Sequence, residues 1–329
     1  MNEHVLITGA SGFLGYHIVN AALKKGVKVF AAVRKNSRLK HLEGLAINYL
    51  TLDYEDVEEM SRQLSANNIR YIIHAAGITK ANDLAAYSKV NADYTNNLAI
   101  AANTAKIDLK KFVFVSSLAA IGPLADLEAE IQDDTPSRPV TSYGASKVLA
   151  EKYLNDIPSL PLIIIRPTAV YGPREKDIFI LFKSISRGLE PYIGRFKQQL
   201  SFIYVKDLAK VVVQALDCNF SGRQYNISDG QVYDRYMLGI LIKKAMKKRT
   251  FMFHLPIGVV AALAGLMEFL YRNSSASPTL NKEKMAELTA VNWACNVDHA
   301  IKDLGFDPKY NLEKGLTETV AWYQGNKWL

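Results

Sequence analysis

Three glycines at the first strand–helix junction place the strongest limit on how this chain folds. Residues 5–7 form a short apolar run that predicts a buried strand, and a helical pattern follows to about residue 25. Gly9, Gly12 and Gly15 lie between these two elements, three residues apart. Glycines at such a junction let the backbone approach a pyrophosphate at the helix N-terminus. The spacing therefore predicts a nucleotide-binding loop, and a tight turn without a ligand is the alternative.

Strands and helices continue to alternate after this loop. Apolar runs predict four more strands, at 27–33, 46–50, 71–73 and 111–115. Helical stretches occur near 55–65 and 83–106. This alternation indicates an α/β fold with a doubly wound parallel sheet. Ligands bind at the carboxyl edge of such a sheet. His74 follows a predicted strand there, and we expect it to pack beside a ligand rather than to act in catalysis.

The second predicted strand ends in positive charge. Arg34 and Lys35 follow it, Arg38 is close by, and no carboxylate occurs between Gly26 and Leu42. A carboxylate at this point usually binds the ribose 2′-hydroxyl of NAD, whereas an arginine suits the 2′-phosphate of NADP. We therefore expect NADP(H), with NAD(H) as the alternative. A solvated basic loop without a ligand is the other interpretation of these charges.

A tyrosine and a lysine further along the chain are candidates for proton transfer. Tyr143 and Lys147 are four residues apart, which places a phenol and an ammonium group on one face of a helix. A tyrosine ordinarily ionises at about 10, and a neighbouring cation lowers that pKa because it favours the phenolate. The spacing alone is also typical of an exposed pair on a solvated helix.

The order of these motifs resembles the extended short-chain dehydrogenase/reductase family, also described as the NAD-dependent epimerase/dehydratase family. The matching features are the glycine loop, Asp53, the segment 74–77, Asn91, Ser117, the pair Tyr143 and Lys147, and the segments 166–173 and 202–209. The C-terminal third is similar to the 3β-hydroxysteroid dehydrogenase-like branch, and the end of the second strand to reductases of the dihydroflavonol type.

The resemblance implies a set of roles. Tyr143 would exchange a proton with the substrate oxygen while hydride moves to or from the nicotinamide. Lys147 would hold the nicotinamide ribose and lower the tyrosine pKa, and Ser117 would orient the substrate oxygen. Asn91 would support a water relay near the lysine. No metal site is implied. The implied cofactor-binding residues are Gly9, Ser11, Gly12, Phe13, Leu14, Gly15, Arg34, Lys35, Asp53, Tyr54, Ala75, Ala76, Gly77, Tyr143, Lys147 and Pro167.

Departures from the family pattern bear on the reaction. Many epimerases have an asparagine where this chain has Ala169 and an arginine where it has Leu200, and both contact the sugar diphosphate. The residues after Ser117 also lack the acid or base that a dehydratase needs to eliminate water. These departures point away from a nucleotide sugar, and the similarity to the 3β-hydroxysteroid dehydrogenase-like branch implies interconversion of a secondary alcohol and a ketone on an apolar, lipid-like substrate. A nucleotide-sugar epimerase is the alternative, and a cofactor-binding protein without activity is a third hypothesis.

An apolar stretch near residue 260 has helical spacing. Its run without a charge, 255–267, is shorter than the roughly 20 residues that span a bilayer. We expect a helix of the core or of the substrate pocket. An interfacial helix is the second interpretation, because the basic cluster 243–249 could attract an anionic membrane. Glu268 and Arg272 are expected to pair on its polar side. The apolar face comprises Leu255, Val259, Ala262, Leu266 and Phe269.

Length and charge bound the remaining possibilities. At 329 residues we expect two domains, a nucleotide-binding domain at 1–170 and 202–228 and a smaller C-terminal substrate domain at 171–201 and 229–329. The net charge of +8 suits an anionic cofactor. Nucleic-acid binding is not expected, because the basic residues are not interleaved with aromatic ones.

Two cysteines, Cys218 and Cys295, predict neither a disulfide framework nor a metal site, which fits a reduced compartment such as the cytoplasm. The N-terminal apolar run is too short for a signal peptide. The resemblance implies a homodimer through helices near 83–106 and 143–155.

Overall fold

The computed structural model describes residues 3–81, 83–271, 278 and 280–329. Its strands are β1 (His4–Thr8), β2 (Lys28–Ala32), β3 (Ile47–Leu50), β4 (Tyr71–His74), β5 (Lys111–Val115), β6 (Leu162–Pro167), β7 (Ala169–Tyr171), β8 (Leu189–Ile193), β9 (Gln199–Leu200), β10 (Phe202–Tyr204), β11 (Arg223–Ile227), β12 (Tyr233–Asp234) and β13 (Phe251–Leu255). Its helices are α1 (Phe13–Lys25), α2 (Val57–Ala66), α3 (Leu84–Ser88), α4 (Tyr94–Thr104), α5 (Ser142–Asn155), α6 (Phe179–Ser186), α7 (Val205–Gln214), α8 (Met237–Met246), α9 (Ile257–Tyr271), α10 (Lys282–Thr289), α11 (Asp298–Leu304) and α12 (Leu312–Gly325).

Seven parallel strands form the central sheet, in the order β11-β6-β5-β4-β1-β2-β3. One apolar core lies between this sheet and helices α1, α7 and α11, and another lies under α2, α4 and α5 on the opposite face. Helices cover both faces, which explains why the strands are apolar runs without alternation. The predicted α/β fold with a doubly wound parallel sheet is confirmed.

Strand β1 marks the point where the strand order reverses. The chain proceeds from β1 to β2 and β3 on one side, and then continues to β4, β5 and β6 on the other. In open parallel sheets the crevice at such a reversal, outside the carboxyl ends of the strands, is where ligands bind. The glycine loop follows β1, so the fold places it at this crevice.

The predicted helix at 83–106 is divided in three. Helix α3 is followed by a π-helical turn, Lys89–Asp93, and then by α4. A π-helical turn contains one residue more than an α-helical turn, and such turns are frequent at functional sites. Asn91 lies in this turn and is fully buried.

A third core joins the C-terminal part of the chain to the end of the sheet. Helices α6, α8 and α12 pack around Tyr171, Phe202 and Tyr204. Two short strand pairs, β7 with β10 and β9 with β12, lie beside it, and β8 pairs with β13. Because this core draws on both of the predicted domain ranges, the boundary between the two domains remains a prediction.

Helix α9 corrects the expectation of a core or pocket helix. It buries only Val260 and Ala264, which pack against Met285 of α10. The spacing predicted the helix, but the face it predicted to be covered is exposed: Leu255, Val259, Ala262, Leu266 and Phe269. The expected partner of Glu268, Arg272, lies outside the described residues. Within those residues, no helix combines the length and the apolar character that a bilayer crossing requires.

Candidate active site

The glycine loop packs directly against the loop that follows β4. Gly9 has a φ of +67°, and a Cβ atom on it would lie 2.6 Å from the carbonyl oxygen of Ala75. A Cβ atom on Gly15 would lie 2.0 Å from the carbonyl oxygen of Gly9. Both contacts exclude a side chain, so the glycines allow α1 and the two loops to approach closely. The structure thus brings together the cofactor segments predicted at Gly9–Gly15 and Ala75–Gly77.

A chain of hydrogen bonds fixes these loops. The backbone N–H of Ala76 donates to the Thr8 hydroxyl at 3.1 Å, which lies 2.7 Å from Nδ1 of His74. Nε2 of His74 is 2.8 Å from the Thr95 hydroxyl, which donates to the carbonyl of Asn91 at 2.7 Å. Burial lowers the pKa of His74 to about 3, so the ring is neutral. His74 therefore links these loops by hydrogen bonds, and its packing beside a ligand stays a prediction.

Asn91 holds the loop after β4 against helix α5. Its Oδ1 accepts from the backbone N–H of Ile78 at 2.8 Å, and its Nδ2 donates to the Ile78 carbonyl and to the Ser146 hydroxyl, both at 3.0 Å. A Cβ atom on Gly77 would lie 3.0 Å from Oδ1 of Asn91 and 3.5 Å from Nζ of Lys147. Asn91 is thus close to the lysine, but its amide group is engaged in positioning the loop.

Helix α5 carries the tyrosine and the lysine. Its N-cap is Thr141, whose hydroxyl accepts from the N–H of Gly144 at 3.0 Å. A Cβ atom on Gly144 would lie 2.3 Å from the carbonyl oxygen of Ala119, so the helix start packs tightly on the turn that follows Ser117. This close approach brings the Ser117 and Tyr143 side chains together, as the resemblance implies.

Tyr143 lies in an environment that disfavours its phenolate. Part of the ring stays accessible, but burial raises the pKa of Tyr143 to about 12, and the neighbouring Ser117 hydroxyl only partly offsets this effect. The expectation that Lys147 lowers this pKa concerns the site with its cofactor and stays a prediction. The sequence could not show the extent of desolvation, because it depends on the surrounding structure.

Lys147 is itself buried. Its Nζ donates to the carbonyl of Val115 at 3.0 Å and lies 4.7 Å from the centre of the Phe114 ring. Burial lowers the pKa of Lys147 to about 8, and the nearby Glu151 carboxylate acts in the opposite direction. The ammonium group is thus desolvated, and its charge is sensitive to pH close to neutrality.

A buried ion pair behind the lysine was not predicted. Arg166 donates from Nε to Oε1 of Glu151 at 2.9 Å, and the Ser116 hydroxyl donates to the same carboxylate. Both charged side chains are almost fully buried. Glu151 follows Lys147 by four residues, and that spacing was the only signal in the sequence. Because Arg166 is held by this carboxylate, it is not available to bind a phosphate. Pro167, a predicted cofactor contact, follows it at the end of β6.

The segment predicted to meet the adenosine part of the cofactor also reaches the crevice. Tyr54 stacks on Tyr94 with ring centres 5.5 Å apart. Burial raises the pKa of Tyr54 to about 12, and the Thr8 hydroxyl and the charge of Arg34 lower it, so both groups lie near its hydroxyl. Asp53 is exposed beside it and accepts from the N–H of Glu55 at 3.0 Å.

The remaining predicted cofactor residues lie around the same crevice. Lys35 is exposed after β2, next to Arg34. Ser11 lies in the glycine loop, and Phe13 and Leu14 form the first turn of α1. The N–H groups of a first helical turn are free to bind an anion. This arrangement fits the pyrophosphate of a dinucleotide.

A second unpredicted carboxylate lies at the start of α5. Oε2 of Glu283 in α10 accepts from the backbone N–H of Ser142 at 3.0 Å, and its other oxygen accepts from the Ser142 hydroxyl. The two residues are 141 positions apart, so no local pattern could connect them. This contact ties the C-terminal region to the helix that carries Tyr143.

Comparisons with known proteins show the family to which the chain belongs. The sequence model of the NAD dependent epimerase/dehydratase family matches residues 5–228. A ceramide reductase of Caulobacter vibrioides is 27% identical, over 99% of this chain and 96% of that protein. Sterol-4-alpha-carboxylate 3-dehydrogenase, decarboxylating, of Dictyostelium discoideum is 24% identical, over 96% of this chain and 99% of that protein. UDP-glucose 4-epimerase of Vibrio cholerae is 26% identical, over 99% and 97%.

Solved structures show the same fold. UDP-glucose 4-epimerase of Thermotoga maritima, with UDP-glucose, superposes with a TM-score of 0.80 at 21% identity, covering 98% of this chain and 99% of that one. The family match spans most of the chain, and the relatives cover nearly all of it. The chain therefore belongs to the NAD dependent epimerase/dehydratase family, as an NAD(P)-dependent enzyme of the extended short-chain dehydrogenase/reductase type.

Proposed function

We propose that this enzyme interconverts a secondary alcohol and a ketone on an apolar, lipid-like substrate, with NADP(H) as cofactor and Tyr143 as acid and base. The observation that carries the proposal is the meeting of Ser117 and Tyr143 beside the buried Lys147 at the carboxyl edge of the sheet. Two relatives are named for lipids, a ceramide and a sterol, which supports an apolar substrate.

The protonation state of the site suits reduction of a ketone. A bound nicotinamide supplies or accepts the hydride. With a pKa raised to about 12, Tyr143 carries its proton at neutral pH and can donate it to the substrate oxygen as negative charge develops there. The Ser117 hydroxyl orients that oxygen. Oxidation requires the phenolate instead, which the cation of Lys147 and the N-terminal end of α5 would stabilise.

Replacing Tyr143 by phenylalanine tests the catalytic assignment. Tyr143→Phe keeps the ring and removes the proton, so we expect turnover of a ketone panel to fall by about 10²–10⁴-fold, while NADPH binding persists. Consumption of NADPH measures turnover, and fluorescence titration measures binding. Tyr49→Phe, which changes an exposed tyrosine on β3, is the control. Near-wild-type turnover in Tyr143→Phe would reject the assignment.

The choice of NADP(H) rests on Arg34. Its guanidinium is exposed at the end of β2, close to Tyr54, where it can pair with a 2′-phosphate. A charge-assisted hydrogen bond contributes about 1.5–3 kcal/mol, so Arg34→Ala should weaken NADPH binding by about 10- to 100-fold and leave NADH binding unchanged. Arg187→Ala, at an exposed position after α6, is the control. Tighter binding of NADH than NADPH by the wild type would overturn this preference.

A nucleotide-sugar epimerase is the second candidate, because UDP-glucose 4-epimerase of Vibrio cholerae is 26% identical over 99% of this chain. Ala169 and Leu200 lack the phosphate contacts of many epimerases, and Arg166 is held by Glu151. An epimerase would bind a nucleotide sugar tightly and retain its cofactor unchanged. Mass spectrometry of the molecules that co-purify with the protein distinguishes a nucleotide sugar from a lipid.

We also propose a homodimer through the outer faces of α4 and α5, on which Ile100 is exposed. Light scattering on wild type and Ile100→Asp tests it.

The two cysteines are free and buried, which supports the proposal of a reduced compartment such as the cytoplasm.

A further inference from the structure

Strand β13 and helix α9 present an unusually large apolar surface to solvent. Ten large apolar side chains in this stretch are exposed, and Phe269 reaches 72%. Contiguous apolar patches of this kind mark sites of interaction. We name this the C-terminal apolar surface; it comprises Phe251, Met252, Leu255, Ile257, Val259, Leu263, Leu266, Phe269, Leu270 and Tyr271.

The length of α9 decides how it could meet a membrane. Its 15 residues rise about 22 Å, which is short of the roughly 30 Å of a bilayer core. The helix carries a single charge, Glu268, and that carboxylate accepts from the backbone N–H of Lys282 at 2.8 Å. The charge is thus directed to the protein side, and the other faces remain apolar. A free interfacial helix has a polar face of its own; in α9 the packing against the protein takes the place of that face, so its exposed apolar side can lie in the plane of a membrane interface.

A basic cluster immediately precedes the C-terminal apolar surface. Lys247, Lys248 and Arg249 are exposed between α8 and β13, and in the described part of the chain no carboxylate lies within ion-pairing distance of them. Lys243 and Lys244 line the same open depression, but each is paired with a carboxylate, so among the described residues the unpaired positive charge is that of the other three. An anionic surface would match this charge, and the adjoining Phe251 is 70% exposed.

We propose that the C-terminal apolar surface docks on anionic lipid bilayers, with α9 in the interface and the basic cluster on the lipid headgroups. A second copy of the chain fits less well, because it carries the same net charge of +8 and offers no excess of negative charge to the basic cluster. This inference goes beyond the proposed function, since docking requires neither a particular substrate nor catalysis.

The docked surface is connected to the active site by two contacts. Val260 and Ala264 of α9 pack against Met285 of α10, and Glu283 of the same helix α10 binds Ser142 at the start of the catalytic helix. An apolar substrate dissolved in the bilayer would therefore be concentrated close to the helix that carries Tyr143.

Vesicle co-sedimentation of the full chain tests the proposal. We compare phosphatidylcholine vesicles that contain phosphatidylglycerol with vesicles of phosphatidylcholine alone. Each basic residue near an anionic surface contributes about fivefold in affinity, so Lys247→Glu with Lys248→Glu should reduce binding to the anionic vesicles by more than about tenfold. Leu266→Asp with Phe269→Asp should abolish binding to both kinds. Wild-type binding should weaken as salt is added.

A matched pair elsewhere on the surface is the control. Ile301→Asp with Lys302→Glu changes an exposed apolar and an exposed basic residue on α11 and should bind vesicles like the wild type. Thermal unfolding and NADPH binding confirm that each variant is folded. The proposal is overturned if the wild type does not sediment with anionic vesicles, or if the control loses as much binding as the surface variants. It is also overturned if ultracentrifugation shows a dimer that Leu266→Asp dissolves.

Discussion

Strand β1 and helix α9 are both apolar segments, and they lie in opposite environments. Leu6 in β1 has no accessible surface, whereas Leu266 in α9 is 53% exposed. Helix layers cover both faces of the sheet, whereas among the described residues α9 buries only Val260 and Ala264, against side chains of β8 and α10. Apolar spacing therefore predicts a strand or a helix, whereas residues distant in sequence determine whether that strand or helix is buried.

Replacing each of these two leucines by alanine should change the free energy of unfolding by very different amounts. Leu6→Ala removes a fully buried side chain and leaves a cavity, so we expect the free energy of unfolding to fall by about 2–5 kcal/mol. Leu266→Ala removes atoms that water already contacts, and should change that free energy by less than about 0.5 kcal/mol. Urea denaturation, followed by circular dichroism, measures both values.

The expected difference would be contradicted if Leu266→Ala lowered the free energy of unfolding nearly as much as Leu6→Ala. Such a result would mean that protein covers α9 in solution. Repeating the measurement at several protein concentrations would then identify a second copy of the chain, because the stability of a dimer depends on concentration.

Most of the sheet was predictable because its strands are short apolar runs followed by turn residues. The bounds moved by only a residue or two, as at β2, which is Lys28–Ala32 in the structure. The environment of α9 was not predictable, because α10 is short and polar and helical spacing carries no information about such a neighbour. The apolar pattern of the sequence also gave no indication of the π-helical turn at Lys89–Asp93.

Alanine substitutions at Gly15 and Gly265 should change the stability of the protein in opposite directions. A Cβ atom on Gly15 would lie 2.0 Å from the carbonyl oxygen of Gly9, so Gly15→Ala should destabilise the protein by about 1–3 kcal/mol and weaken cofactor binding. A Cβ atom on Gly265 in α9 would meet nothing within 4 Å. Gly265→Ala should therefore stabilise the protein by about 0.5–1 kcal/mol.

Thermal unfolding and NADPH titration of the two glycine variants distinguish these outcomes. Equal and unfavourable effects would show that the backbone of α9 is as closely packed as the cofactor loop. A favourable effect of Gly15→Ala would contradict the close approach of the loop and helix α1.

The positions of the proposed catalytic residues were predictable, but their charge states were not. The resemblance named Ser117, Tyr143 and Lys147, and the structure places them together. It could not indicate that burial would raise the tyrosine pKa, because desolvation depends on the whole surrounding structure. Glu151 and Glu283 were missed, because an acidic residue on a helix predicts no particular partner.

The charge on Lys147 should make the binding of NADPH depend on pH. Its pKa, lowered by burial to about 8, means that the side chain is charged below pH 8 and neutral above it. If the ammonium holds the cofactor ribose, only the charged form binds well, and the apparent dissociation constant for NADPH should rise about tenfold between pH 7 and pH 9. Tyr143, with a pKa raised to about 12, keeps its proton throughout this range.

Replacing the lysine isolates its contribution. Lys147→Met has no charge to lose, so its binding should be weak and independent of pH between 7 and 9, whereas Lys302→Met, on the exposed surface of α11, should retain the wild-type profile. Fluorescence titration measures all three proteins without requiring a substrate. A wild-type affinity that stays constant across this range would mean that the buried ammonium does not hold the cofactor. An alkaline loss that persisted in Lys147→Met would assign the titration to another group, and the function of Lys147 would then be confined to its contacts with Val115 and Phe114.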